Sequence, residues 1–283
     1  MPLKTRFIRH CVLLIAALSA SSTYLASTTY AFQHSLVPDK PLILIGASYA
    51  NGNTPLQQDL QGPLQGISVG AGDYVDLGMA LTRFGAKVRN EGQGGATTFS
   101  RVTCNPVCGT ATWDSYSTQL QRALRRVTLF DANGPAGYNA DYVIISLSND
   151  CLHSDSFGID QALTSPCSLA EQNASMDRLI AVGQEVLDLG MTPVYAKFAS
   201  AEDLDLPLFA QLSGLTWAMT NEQYDDFGEL YASRIRQELP GAILVNAWGH
   251  FTHGGDGIHP DEATAMRAAF HFLRAIYRDQ KHH

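Results

Sequence analysis

Four short apolar runs and one more polar run, separated by stretches with helical spacing, predict an α/β protein: a three-layer α/β/α sandwich built on a five-stranded parallel sheet. Three observations carry this. The clearest runs are continuously apolar, as in strands covered on both faces. Helical patterns alternate with them. No linker divides the chain, and 283 residues suffice for a large buried core.

The elements read in order. Leu42-Ile-Leu-Ile45, between Pro41 and Gly46, is a buried strand. Tyr74 to Phe84 is a helix, and the more polar Ala86-Lys-Val-Arg89 fits an edge strand. Trp113 to Val127 is helical, and Tyr142-Val-Ile-Ile-Ser146 is a second buried run. Met176, Leu179, Ile180, Val186 and Leu187 recur at helical spacing before a stop at Gly190. Pro193-Val-Tyr-Ala196 is a strand. Tyr224, Phe227, Tyr231 and Ile235 form a helical stripe ending before Pro240, and Ala242-Ile-Leu-Val245 is the last strand. Met266, Phe270, Leu273 and Tyr277 mark the final helix. Residues 50–72 and 99–112 fit neither period and follow strand ends. Ligands of open α/β sheets sit at the carboxyl ends of strands, so these loops are expected to wall a site.

Residues 1–31 read as an export signal, leaving 32–283 as one domain. Lys4, Arg6 and Arg9 precede a short apolar run, and Thr29-Tyr-Ala31 offers a cleavage site, with Ala26 as the alternative. The run is short for a membrane span, so no stable anchor is expected after cleavage, and the protein is expected to be secreted or periplasmic. Removal of three cations and no anion takes the formal charge from −8 to −11. Such an acidic chain is a poor partner for nucleic acid or an anionic membrane. Cys104, Cys108, Cys151 and Cys167 remain, an even number that suits disulfides in an oxidising compartment. Three connectivities are open; the local pairs Cys104–Cys108 and Cys151–Cys167 are favoured over a zinc site, because Cys-x3-Cys is not a zinc knuckle.

Four polar positions fall where strands hand over to loops. Ser48 lies two residues past Gly46, where a substrate carbonyl can reach its hydroxyl. A serine hydroxyl needs a neighbouring base. His259 lies in a glycine-rich loop, and Pro260 disfavours helical geometry at it. Asp256 precedes it by three residues, the spacing at which a carboxylate can accept from the imidazole Nδ1 and leave Nε2 to take a proton. Asn149 follows the strand Tyr142–Ser146, and Gly95 follows the edge strand. With the Ser48 N–H they are candidate donors to an oxyanion.

Jointly these blocks resemble the SGNH hydrolases, the superfamily of GDSL-type esterases and lipases. Gly46-Ala-Ser48 stands where that family has Gly-Asp-Ser. Asn90 to Gly95 is similar to its second block, Leu147-Ser-Asn149-Asp150 to its third, and Asp256-Gly-Ile-His259-Pro to its last. Ala47 and Leu147 depart from the usual aspartate and glycine, neither of which carries a catalytic side chain in the family. The resemblance implies a flavodoxin-like strand order and no cofactor. It also implies Ser48, His259 and Asp256 as a triad, with Ser48, Gly95 and Asn149 as the oxyanion hole. The expected substrate is a small, lipid or acylated-carbohydrate ester. The same residues suit O-acyl transfer to an alcohol.

Rival readings are weaker. Gly46-Ala-Ser48-Tyr-Ala50 only partly matches the α/β-hydrolase elbow, whose serine follows several strands. His250, His253, Asp256 and His259 are crowded, but lack the helical spacing of a metallohydrolase and are read as loop residues. A non-catalytic carbohydrate- or lipid-binding module would not need all four polar groups. Trp113 and Trp217 read as packing residues, Trp248 as a neighbour of the histidine loop, and Glu202-Asp203 with Asp205 as a solvated loop. Oligomeric state has no signature.

Overall fold

The computed structural model describes residues 36–51, 75–102, 112–152, 167–213 and 219–282. The chain divides into two units between Val37 and Pro38, and everything below concerns the second, Pro38–His283. The readings made on residues 1–31, on most of 50–72, and on Cys104, Cys108 and Trp217 lie outside the described residues.

In chain order the elements are β1 (Leu42–Ile45), α1 (Leu77–Arg83), β2 (Val88–Asn90), β3 (Arg101–Val102), β4 (Thr112–Trp113), α2 (Tyr116–Val127), β5 (Thr128–Asp131), β6 (Gly134–Tyr138), β7 (Tyr142–Ile145), α3 (Leu169–Asp188), β8 (Thr192–Ala196), α4 (Leu206–Ser213), α5 (Asn221–Glu238), β9 (Ile243–Val245) and α6 (Glu262–His282). A 3-10 turn spans Ala201–Asp203.

Five strands form one sheet in the order β2-β1-β7-β8-β9, and every adjacent pair is parallel. That is the flavodoxin-like order. β2 is an edge, as its polar residues Arg89 and Asn90 require. β1 and β7 are buried at every residue, so both faces of the sheet are covered. Each fully buried Leu or Ile there contributes roughly 1.5–3 kcal/mol. On one side α2, α3 and α5 pack in series, and α1 packs with α6 on the other.

Caps fix the helix starts. Asp76 accepts the N–H of Met79, and Ser115 that of Thr118. Hence α1 starts at Leu77 rather than Tyr74, and α2 at Tyr116 rather than Trp113, which belongs to β4. Ser168 with Glu171, and Thr220 with Gln223, form reciprocal capping boxes. α3 ends as predicted: the N–H groups of Gly190 and Met191 return to the carbonyls of Leu187 and Val186.

The sequence reading missed α4 and the hairpin β5–β6. The hairpin strand Gly134-Pro-Ala-Gly-Tyr138 has little β propensity and no apolar alternation. Its backbone ladder to β5 holds it instead, with the Asp131 carboxylate accepting from Asn133 in the turn.

Candidate active site

The strand order reverses at β1, whose neighbours are β2 on one side and β7 on the other. The carboxyl ends of these strands form the crevice where open α/β sheets take ligands. β1 runs out at Gly46, whose φ is +144°. A Cβ there would fall 2.6 Å from the Cβ of Ser146, so only glycine fits between the two strand ends. The Gly46 N–H donates to Oε1 of Gln119, a fully buried side chain of α2, at 2.8 Å. The chain then turns over Ala47, whose carbonyl accepts from Ala50 and Asn51 at 3.0 and 3.1 Å. Ser48 opens that turn and is 7% exposed.

The last loop is built around Asp256 and His259, both buried. Asp256 Oδ2 is hydrogen-bonded to His259 Nδ1. Its Oδ1 accepts the N–H groups of Ile258 and His259 at 3.1 and 2.9 Å. Burial pushes the Asp256 carboxyl up, but the hydrogen bond and charge of His259 and the two backbone donors outweigh it and hold the group below the ordinary carboxylate range. The loop is anchored from outside as well. The Asp205 N–H donates to the Gly257 carbonyl at 2.8 Å. Gly257 has φ +96°, and a Cβ on it would fall 2.1 Å from the Asp205 carbonyl oxygen. Across the loop Gly254 N–H reaches the His259 carbonyl at 2.8 Å. Asp261 caps α6 by accepting from Thr264 at 2.7 Å.

Tyr49 joins the two ends of the chain. Its hydroxyl donates to the Ile258 carbonyl at 2.5 Å, and its ring lies edge-on to His259 with centroids 6.1 Å apart. It also meets Trp248 edge-on at 4.9 Å and stacks with Phe251 at 5.9 Å. The residue after Ser48 is thus seated on the residue before His259 and on His259 itself.

The β2 and β7 loops close the same corner. Gln93 N–H donates to the Gly46 carbonyl at 3.0 Å. The Trp113 indole holds the Gly94 carbonyl at 2.7 Å, and Gly95 follows with φ +81°. Asn149 donates to the Ala96 carbonyl twice, from its backbone N–H at 3.1 Å and from Nδ2 at 3.2 Å. A carbonyl can only accept, so this contact identifies the amide nitrogen and turns the Asn149 side chain toward the Gly95 loop. The Leu147 carbonyl accepts from Ala47 N–H at 3.4 Å and from the Tyr116 hydroxyl at 2.7 Å. Asp150 is fully buried; it accepts from the backbone and hydroxyl of Thr98 and from Arg178 Nη2 at 3.1 Å. Cys151, next in sequence, is disulfide-bonded to Cys167, one of the two pairs favoured from the sequence.

Of the residues singled out in the sequence, Ser48, Gly95, Asn149, Asp256 and His259 therefore lie on loops joined to one another at the sheet's carboxyl edge. His250 is exposed, and His253 turns its Nδ1 onto its own loop rather than toward a ligand. No group of three or more His, Cys, Asp or Glu residues able to hold a metal occurs among the described residues. Trp113 and Trp248 are both buried, so neither offers an open platform. Glu202 is exposed as expected, while Asp205 also anchors Gly257. Sequence reasoning missed Gln119 and Tyr116, two polar side chains on the apolar stripe of α2. A polar residue on such a stripe was the signal, since burial demands a partner.

No protein-family model matches the sequence, and the comparison with curated proteins finds no match. Among solved structures the chain is similar to a protein described as an SGNH hydrolase from Slackia heliotrinireducens, with 14% identity and a TM-score of 0.47 over 84% of this chain and 100% of that one. It is also similar to a single-residue variant of an acetyl xylan esterase from Geobacillus stearothermophilus, with 13% identity and a TM-score of 0.43 over 86% and 96%. A third likeness is to LAE5, an alpha/beta hydrolase enzyme from the metagenome of Lake Arreo, with 16% identity and a TM-score of 0.45 over 84% and 95%.

Proposed function

We propose that this chain is a serine ester hydrolase of the SGNH type, with Ser48 as nucleophile, His259 as general base and Asp256 as its orienting carboxylate. One observation supports the reading above the rest. Tyr49, the residue after Ser48, bonds to Ile258 and packs on His259, which brings the turn of the first strand against the Asp256–His259 pair.

In this mechanism the Asp256 carboxylate accepts from Nδ1 and sets the tautomer, leaving Nε2 to take the Ser48 proton as the hydroxyl attacks an ester carbonyl. The oxyanion is met by the N–H groups of Ser48 and Gly95 and the amide of Asn149. Each such donor stabilises the transition state by roughly 3–4 kcal/mol. His259 returns the proton to the leaving alcohol, and water releases the acyl group from Ser48 by the same steps in reverse. An acceptor alcohol in place of water makes the same site an O-acyltransferase.

The substrate is proposed as a small, lipid or acylated-carbohydrate ester. Secretion is part of the proposal: the Cys151–Cys167 bond suits an oxidising compartment. No helix among the described residues is long and apolar enough to cross a membrane.

The test is labelling by a serine-directed fluorophosphonate, read by peptide mapping, beside turnover of nitrophenyl esters from acetate to palmitate and of acetylated xylan. Labelling at Ser48, with turnover abolished in Ser48→Ala, is expected. A folded protein that neither labels nor turns over any of these esters would point to the non-catalytic binding module instead.

A further inference from the structure

We infer that His253 is a positioning residue for the Asp256–His259 pair, acting as a neutral imidazole whose Nδ1 lone pair folds the turn that carries Asp256. The inference rests on the catalytic reading above for its purpose, but not for its geometry. His253 Nδ1 accepts two backbone N–H groups, from Gly255 and from Gly257, each at 3.2 Å. These are the residues on either side of Asp256. Gly255 and Gly257 have φ of +107° and +96°, so the backbone on both sides of Asp256 is in a region that ordinary residues avoid. Glycine reaches this region freely, so the φ values alone do not fix the turn; the two N–H groups converging on one ring nitrogen select it.

The arrangement determines the tautomer. A nitrogen that accepts two hydrogen bonds carries no proton, so the ring is neutral with its hydrogen on Nε2. His259 has the opposite arrangement, with Nδ1 facing the Asp256 carboxylate. The two histidines divide the work on one carboxylate. His259 takes its Oδ2, and His253 fixes the two peptide groups that flank it. The backbone reinforces the division. His253 pairs with Pro260 in an antiparallel bridge, and Gly254 N–H holds the His259 carbonyl at 2.8 Å. His253 thereby grips the loop at both ends of the Asp256–His259 segment. Without the Nδ1 acceptor, Gly255 and Gly257 lose their side-chain partner, and the Asp256 carboxylate, still held by the Ile258 and His259 N–H groups, is set less squarely on His259 Nδ1. Substrate contacts are untouched, so turnover falls rather than binding.

Two variants separate acceptor from bulk. His253→Asn keeps an acceptor oxygen close to the Nδ1 position, whereas His253→Leu keeps the volume and removes the acceptor. Steady-state kinetics on nitrophenyl acetate should show kcat within about threefold of wild type for His253→Asn, and a fall of tenfold or more for His253→Leu with KM changed by less than about twofold. Equal kcat in all three proteins would overturn the inference, as would an effect of His253→Leu on KM alone. A second arm needs no activity and no variant. Nitrogen-15 NMR of the wild-type imidazole at pH 7.5 should show His253 Nδ1 unprotonated and coupled through hydrogen bonds to the Gly255 and Gly257 amides. A proton on Nδ1 would overturn the inference even if His253→Leu fails to fold. If wild type is inactive toward every ester while the NMR signature is present, it is the enzyme reading that fails, and the assignment of His253 to the turn stands.

Discussion

The side-chain carbonyl of Gln119 accepts the backbone N–H of Gly46 at 2.8 Å, so a helix 73 residues downstream terminates the first strand of the sheet. Gly46 lies two positions before Ser48, and its amide points away from the sheet ladder into a helix. Removing the acceptor leaves a buried N–H without a partner, which costs about 1–3 kcal/mol. Gln119→Leu should therefore lower stability by that amount in urea unfolding and reduce kcat, because the turn that carries Ser48 loses its brace. Gln119→Leu matching wild type in both measurements would show that the bond contributes nothing.

Gly46→Ala should be more damaging than its one added methyl suggests. The new Cβ meets Ser146 Cβ at 2.6 Å, and the φ of +144° is strained for any L-residue. Ser146→Gly removes the closest contact and leaves the φ strain, with the Ser146 Cα and N still at 3.2 and 3.3 Å. In a double-mutant cycle read by melting temperature, Gly46→Ala in the Ser146→Gly background should recover part of the loss and not all of it. Simple additivity would mean that the two strand ends do not touch.

Asn149→Ala should lower kcat roughly a hundredfold with KM little changed, as expected for a donor that acts on the oxyanion. A change confined to KM would reassign Asn149 to substrate binding.

The depressed Asp256 carboxyl sets a pH window. A group whose folded-state pKa lies below its unfolded value contributes stability that is fully present above the unfolded pKa and lost as pH falls through the folded one. The stability difference between wild type and Asp256→Asn should therefore be flat from neutral pH down to about 5 and shrink below about 4. Chemical denaturation across this range measures it. A difference that grows on acidification would reverse the sign of the shift.

The Cys151–Cys167 bond joins residues 16 positions apart, and closing a loop of that length stabilises by roughly 3 kcal/mol on the chain-entropy estimate. Dithiothreitol, or the double variant Cys151→Ala with Cys167→Ala, should lower the melting temperature. Because Cys151 lies two residues past Asn149, the same treatment should also lower kcat. An unchanged melting curve would show that the bond contributes little.

All five sheet strands were legible in the sequence: a strand buried on both faces is written as an uninterrupted apolar run, carried in full by Leu42–Ile45 and Tyr142–Ile145, and the more polar β2 reads as an edge. The helical stripes of α3 and α5 were written locally too, but the starts of α1 and α2 were misjudged by three residues. There the apolar pattern continues past the cap. The hairpin β5–β6 was illegible because its stability comes from backbone pairing rather than side-chain periodicity.

The amino-acid order by itself determined the five strands of the main sheet, the α/β layering and the local pair Asp256–His259, since each depends on neighbours a few positions apart. Only the tertiary structure decided that Tyr49 rests on Ile258 and His259, that Gln119 holds Gly46, and that Asn149 turns onto Ala96. Those contacts join residues separated by 53 to 210 positions, and no periodicity records a contact made across a sheet. They arise because parallel strands carry all their carboxyl ends to one edge, where loops distant in sequence must satisfy one another's buried polar groups.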